Sequence, residues 1–181
     1  MSDVAYHFTA GVLNHARAFT AVSCPTYNSY QGLLAQGDLA DFSWAPILVI
    51  WGKNNHSAML RLPLNRRCLE NRAVDMSCNP YLCAALHLAA GLEGIEQKAD
   101  PGDPINLDVY QMSRRDLHKA GIATLPPTLL HALEAFEEDP LVEEALGTEF
   151  KEIFLKQKMG EWNRDFFHVS DEQREQMLTH I

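Results

Sequence analysis

Apolar and small residues recur at helical spacing from Val4 to Val22 (Val4, Phe8, Gly11, Val12, His15, Ala18, Phe19, Val22). Ser2 and Asp3 stand ahead of them as capping residues, so the pattern predicts a helix across this stretch. Cys24-Pro25-Thr26-Tyr27-Asn28-Ser29-Tyr30 breaks the periodicity with proline and turn-forming polar residues, and a glycine-containing stretch to Ser43 reads as a surface loop. Three short runs follow: Ile47–Trp51 is β-branched, Ser57–Leu62 is mixed, and Cys68–Met76 alternates. They predict three strands joined by short polar turns. In the third run Glu70 and Arg72 are two apart, so an extended strand presents both on one face, with Val74 continuing it.

Asn79-Pro80 then opens a strongly helical stretch, Tyr81–Lys98, in which Pro80 suits the first turn and small residues such as Ala84, Ala89 and Gly91 permit close approach of a neighbour. Asp100-Pro101-Gly102-Asp103-Pro104 reads as a linker, and turns alternate with short helices through Leu125-Pro126-Pro127. Helical periodicity returns over Leu129–Phe136, Pro140–Leu146, Glu149–Phe167 and Asp171–Ile181. The pattern defines an α+β fold: short antiparallel strands packed with helices, and a helical C-terminal region. No internal repeat or second domain boundary interrupts it.

At 181 residues the chain suits one domain with a real core. Hydrophobic residues at 46% and charged residues at 22% match ordinary globular usage, and no apolar run approaches the roughly 20 residues that span a bilayer. The start, Met1-Ser2-Asp3-Val4, carries no basic-then-apolar segment, so the expected compartment is the cytoplasm. Fifteen Lys and Arg against 24 Asp and Glu give a net charge of -9, which repels a phosphate backbone over most of the surface and argues against general nucleic-acid binding.

Local signals for chemistry are modest. No glycine-rich phosphate loop, Gly-x-Ser-x-Gly elbow or His-Glu-x-x-His pair occurs. The four cysteines (Cys24, Cys68, Cys78, Cys83) form no Cys-x-x-Cys pair and read as reduced structural thiols, while His7, His15 and His87 lie in apolar helical stretches and read as packed or surface-tipped residues rather than ligands. Taken alone, Glu70 and Arg72 read as exposed or mutually paired charges. What changes the reading is order: Asn55-His56-Ser57-Ala58, Arg61-Leu62-Pro63, Leu69-Glu70-Asn71-Arg72, Asp75 and Asn79-Pro80-Tyr81-Leu82 follow one another within a short stretch.

In that order the chain resembles the glutamine synthetase family. The family pattern Asn-Pro-Thr-x-Asn-Ser-Tyr, Asn-Arg-Ser-Ala-x-x-Arg-x-Pro, Ile-Glu-x-Arg-x-x-Asp and Asn-Pro-Tyr-Leu is matched at Cys24–Tyr30, Asn55–Pro63, Leu69–Asp75 and Asn79–Leu82. Ala90-Gly91-Leu92-Glu93-Gly94-Ile95 continues the match. The resemblance extends through Asp100 and Leu125 and so covers nearly the whole chain. It implies that Glu70 is a ligand of a divalent metal, Mg²⁺ or Mn²⁺, that Arg72 contacts glutamate or its phosphorylated intermediate, and that Arg61 contacts nucleotide phosphate. Asn55 is implied beside Arg61 and Arg72 in substrate or nucleotide binding, and His56 beside Arg72 at the reacting groups. Family enzymes transfer the γ-phosphoryl of ATP to glutamate and let ammonia or an amine displace phosphate. That chemistry concentrates negative charge for metal ions and arginines to neutralise.

Three departures qualify the resemblance. His56 stands where most members carry arginine, and it lacks the bidentate fork and a permanent charge. Gln31-Gly32 and Trp44-Ala45-Pro46 stand where ammonia-using members have Lys-Arg and Glu-Ala-Pro, which points to an apolar amine pocket and to type III or γ-glutamylamide-forming relatives. The β-rich N-terminal domain and the first half of the catalytic domain, with most metal-binding glutamates, have no counterpart in residues 1–181. The chain is therefore expected to carry part of an active site, to be inactive alone, and to be completed by a missing half or by homo-oligomer subunits. The alternative is a non-catalytic family remnant that acts in binding or assembly. Tyr110 aligns with a tyrosine adenylylated in some bacterial members, but its flanking residues fit poorly.

Overall fold

The computed structural model describes residues 1–30, 46–106 and 114–179. Gln31, Gly32, Trp44 and Tyr110, and with them the amine-pocket and adenylylation readings, lie outside the described residues.

The N-terminal stretch is two helices, α1 (Asp3–Asn14) and α2 (Ala16–Ser23), where periodicity predicted one. Ser2 caps α1 by accepting from Ala5 N, and His15 breaks the pair with φ -102° and ψ 7°. The reason for the break is polar: the His15 ring bridges Glu93 and Asp139, which draws the backbone out of the helical path.

Strands β1 (Leu48–Lys53), β2 (Ala58–Leu62) and β3 (Glu70–Asn71) form one sheet in that order. Among these three strands β2 pairs antiparallel with β3, whereas β1 and β2 run parallel, Leu48 beside Ala58 and Lys53 beside Leu62. Parallel neighbours ordinarily need a crossover of about a dozen residues. Here residues 54–57 alone make the return. Asn54 turns the chain at φ 53°, a left-handed conformation that asparagine tolerates. Asn55 then braces the return, its amide donating to Ile105 O at 2.7 Å and its Oδ1 accepting from Ser57 N at 2.9 Å and Ser57 Oγ at 2.6 Å.

The third strand is shorter than the alternation predicts. Asn71 Oδ1 accepts from Ala73 N at 2.9 Å, a side-chain turn that competes with further pairing, although Arg72 N still reaches Met59 O at 2.9 Å. The far side of β1 is covered: Val49 N donates to Ala123 O and Leu125 N to Ile47 O, which removes an unpaired strand edge. The stretch from Asp100 to Pro104, a linker by composition, packs on the sheet instead. Trp51 Nε1 donates to Gly102 O at 3.0 Å and Ile105 N to Trp51 O at 2.9 Å.

Helix α3 (Pro80–Glu96) begins where Asn79 accepts from Tyr81 N and Leu82 N, with Pro80 in its first turn. It crosses α1 at glycines. A Cβ on Gly11 would overlap the Ala90 carbonyl oxygen, and one on Gly94 would lie 2.6 Å from Gly11 N. Next come α4 (Arg114–Lys119), α5 (Leu129–Glu138), α6 (Pro140–Leu146), α7 (Thr148–Phe166) and α8 (Asp171–Thr179). The main core joins α2, α3, α5, α6 and α7 through Phe19, Leu86, Leu133, Phe136, Val142 and Trp162. A second core under the sheet holds Val12, Trp51, Met59 and Leu60, and so ties α1 to the strands that carry the site. Among the described residues, no helix is long and apolar enough to cross a membrane.

Candidate functional site

Register builds the site. Arg61 on β2 faces Glu70 on β3 as its direct antiparallel partner, the arrangement that brings opposed side chains within reach. Arg61 donates to Glu70 Oε2 at 2.9 Å, and Arg66, from the turn between the strands, stands 3.6 Å from the same oxygen. The second Arg61 nitrogen donates to Asn54 Oδ1. Its Nε is buried and, among the described residues, is the one buried side-chain nitrogen or oxygen without a hydrogen-bond partner.

Glu70 thus pairs with Arg61 and Arg66 rather than with Arg72. The guanidinium of Arg72 donates instead to the backbone oxygen of His56 and ties the end of β3 to the return loop. The four residues His56, Arg61, Glu70 and Arg72 still form one electrostatic group. The hydrogen bond from Arg61 holds the Glu70 carboxyl below its ordinary range against the cost of desolvation, and the charges of Arg61, Arg66 and Arg72 reinforce it. The His56 imidazole sits below its usual value through desolvation first and then the positive charges of Arg61 and Arg72, with Glu70 opposing. His56 is therefore held toward its neutral form. Three guanidiniums surround one carboxylate, a local positive excess on a chain of net charge -9. Asn55 lies beside the group with its amide turned inward to Ile105 and Ser57.

Sequence reasoning missed the supports. Asn54 orients Arg61, and its signal was an asparagine doublet two residues after the β-branched run. Ser29 donates to Asp75 Oδ2, so the motif at Cys24–Tyr30 and the end of the Leu69–Asp75 motif meet. That hydrogen bond, with those from Ser77, holds the Asp75 carboxyl below its ordinary range despite partial burial. Asn71, between Glu70 and Arg72, is held by His87 of α3, whose other ring nitrogen donates to Cys83 O at 2.7 Å. A histidine that reads as helix packing thus pins the strand.

A hard divalent cation prefers anionic oxygen donors. Glu70 fits as one such donor: it is held ionised, its side chain is 30% exposed, and both of its ion pairs use the same oxygen. Among the described residues, however, no three His, Cys, Asp or Glu side chains are grouped to hold a metal ion. Glu70 fits a metal as one ligand of a larger set.

The site is thus an arginine-lined wall on a small mixed sheet, backed by helices. The family model for the glutamine synthetase catalytic domain matches residues 1–177, and the chain belongs to that family. It is 44% identical over 171 residues to the glutamate–methylamine ligase of Methyloversatilis universalis, covering 94% of this chain and 38% of that protein. It is 38% identical over 175 residues to the glutamine synthetase of Archaeoglobus fulgidus, covering 94% of this chain and 34% of the relative. A solved GmaS–ADP complex superposes with a TM-score of 0.82 at 36% identity, covering 99% of this chain and 40% of that one. A GmaS structure without ligand gives 0.80. The chain thus spans about two fifths of the length of the relatives it matches.

Proposed function

We propose that the chain supplies one wall of an ATP-dependent ligase that joins a small amine, or ammonia, to the γ-carboxylate of glutamate through a γ-glutamyl phosphate. The observation that carries this reading is the grouping of Arg61, Arg66 and Arg72 around the ionised Glu70, on residues that match the family in order.

Each residue has a distinct task. Arg61, fixed by Asn54 and Glu70, is the nucleotide-phosphate contact, because a guanidinium held in place offers a permanent positive charge to a phosphate. Arg72 holds the glutamate substrate or its acyl phosphate, and its bond to His56 O aims it. His56, kept toward neutral, can donate or accept at a phosphoryl oxygen without adding permanent charge. Asn55 shapes the return loop that presents His56. Glu70 would serve as one oxygen ligand of Mg²⁺ or Mn²⁺, and the bound metal would neutralise phosphate charge during transfer. Phosphoryl transfer to the γ-carboxylate makes an acyl phosphate, and the amine then displaces phosphate at the acyl carbon.

The likeness to a glutamate–methylamine ligase, together with Trp44 in place of the family glutamate, supports an alkyl amine as the nucleophile. One carboxylate cannot hold two divalent cations, so the remaining ligands come from a further polypeptide segment or from neighbouring subunits. The test is a chimaera in which this chain replaces the matching two fifths of the methylamine ligase. Phosphate release that requires both glutamate and methylamine is the expected result, and a folded but inert chimaera would refute the reading. The chain alone, given ATP, Mg²⁺, glutamate and methylamine, is expected to show no turnover.

A further inference from the structure

Asn79 caps α3 and Pro80 opens it, so Cys78 is the residue before the cap and Cys83 is the fourth residue of the helix. Side chains at those two positions pack on one another across a helix start, ordinarily as an apolar staple. Here both are thiols. Both residues are half-buried and free of any disulfide, and Cys78 stands close enough to the Cys83 thiol to add to the effect of burial on it. Their backbones are fixed as well: Cys78 N donates to Asp75 O at 3.1 Å and Cys83 N to Asn79 O at 3.0 Å. His87 stands one turn on, its Nδ1 3.7 Å from Cys83 Sγ. Among the described residues no three metal-ligating side chains are grouped, so a metal site does not account for the pairing.

We propose that Cys78 and Cys83 are a modification site, a dithiol that a peroxide converts to a disulfide across the first turn of α3. Cys78 reacts first, because burial pushes the Cys83 thiol up to about 11 and keeps it protonated. The Cys78 thiolate attacks one peroxide oxygen: an S–O bond forms, the O–O bond breaks, and the departing hydroxide takes a proton to become water. Sulfur is oxidised and peroxide reduced. The Cys83 sulfur then attacks the sulfenic sulfur of Cys78, forming S–S and breaking S–O, and the hydroxide released takes the Cys83 proton as a second water. The new bond clamps the start of α3 to the segment leaving β3, directly after the Asp75 turn that Ser29 holds.

Tryptic peptides separate the outcomes. Cys78 and Cys83 share peptide 73–98, Cys24 lies in 18–53 and Cys68 in 68–72. The reduced full chain, treated with hydrogen peroxide and then with an alkylating reagent, should yield peptide 73–98 lighter by two hydrogens and unalkylated at both thiols. Dithiothreitol should reverse the change. Cys83→Ser should leave Cys78 as a sulfenic acid trapped by dimedone, and Cys78→Ser should slow the loss of alkylation at Cys83 on the order of tenfold. Linkage of 73–98 to 18–53, linkage between two copies of the chain, or full alkylation of both thiols after peroxide would each overturn the proposal.

Discussion

Arg61 and Glu70 are registered partners on adjacent antiparallel strands, and their charged ends meet at 2.9 Å. The pair is part-buried and open to solvent on the Glu70 side, so its net worth to folding is small, roughly 1 kcal/mol. Its effect is on titration. Arg61→Ala should raise the Glu70 carboxyl toward its ordinary value, since the Arg61 hydrogen bond is the largest cause of its depression. A depressed carboxyl contributes stability above its unfolded value and loses it as pH falls through the folded one. The variant should therefore be less acid-sensitive than wild type across that window. Carbon-detected NMR titration of Glu70 reads this directly, and an unmoved titration would show that Arg61 is not what holds the carboxylate.

His15 gives a prediction of opposite sign. Its ring nitrogens face Glu93 Oε2 at 2.6 Å and Asp139 at 2.8 Å, and only the imidazolium can donate to both. Burial lowers its pKa, but the hydrogen bonds and charges of Asp139 and Glu93 outweigh burial and raise it overall. A raised folded value means stability that is present in full below the unfolded imidazole range and is lost as pH rises through the folded one. His15→Ala should cost about 2–3 kcal/mol in mildly acidic buffer, less than the loss of one partner from a fully buried ion pair because the cluster is only partly buried. That cost should shrink as pH rises. Urea melts of both proteins at several pH values measure the difference, and a cost independent of pH would mean that His15 is neutral in the fold.

How much of this was legible follows from the range of the interactions. Asn79-Pro80 marks the start of α3 because cap and first-turn chemistry is local, and the β-branched run at Ile47–Trp51 locates β1 for the same reason. The parallel pairing of β1 and β2 was not legible. It depends on Asn54 taking a positive φ and on Asn55 reaching Ile105, fifty residues away. The site divides in the same way. Arg61, Glu70, Arg72 and His56 were found by motif order and do gather, whereas Arg66 and Asn54 act through geometry that spacing does not encode. The break at His15 was hidden because its partners, Glu93 and Asp139, lie far along the chain.

Arg72 separates binding from structure. Its guanidinium reaches the His56 carbonyl through one arm of a planar fork, a geometry that a lysine ammonium cannot reproduce while also gripping an oxyanion. In the methylamine-ligase chimaera, Arg72→Lys should lower kcat/KM for glutamate by about 10²-fold, the scale of losing one aimed donor at developing negative charge. Thermal stability should change little. Phosphate-release kinetics across glutamate concentration checks it, and wild-type kinetics in a folded Arg72→Lys chimaera would remove Arg72 from the site.

The crossing of α1 and α3 rests on missing side chains, and two glycine substitutions should act in opposite directions. Gly11 has no room: a methyl there would meet the Ala90 carbonyl and lie 3.0 Å from Gly94 Cα, both backbone atoms that cannot swing aside. Gly11→Ala must push the helices apart, which would loosen the packing of α1 under the sheet that carries Arg61. Its cost should be about 1–3 kcal/mol, the usual range for overpacking. Gly160, inside α7, has nothing within 4 Å of an added Cβ. Gly160→Ala should stabilise by about 0.5–1 kcal/mol, because alanine loses less backbone freedom than glycine in a helix. Paired urea midpoints on the two variants decide the matter. Equal shifts, or a neutral Gly11→Ala, would mean that α1 and α3 do not meet at these glycines.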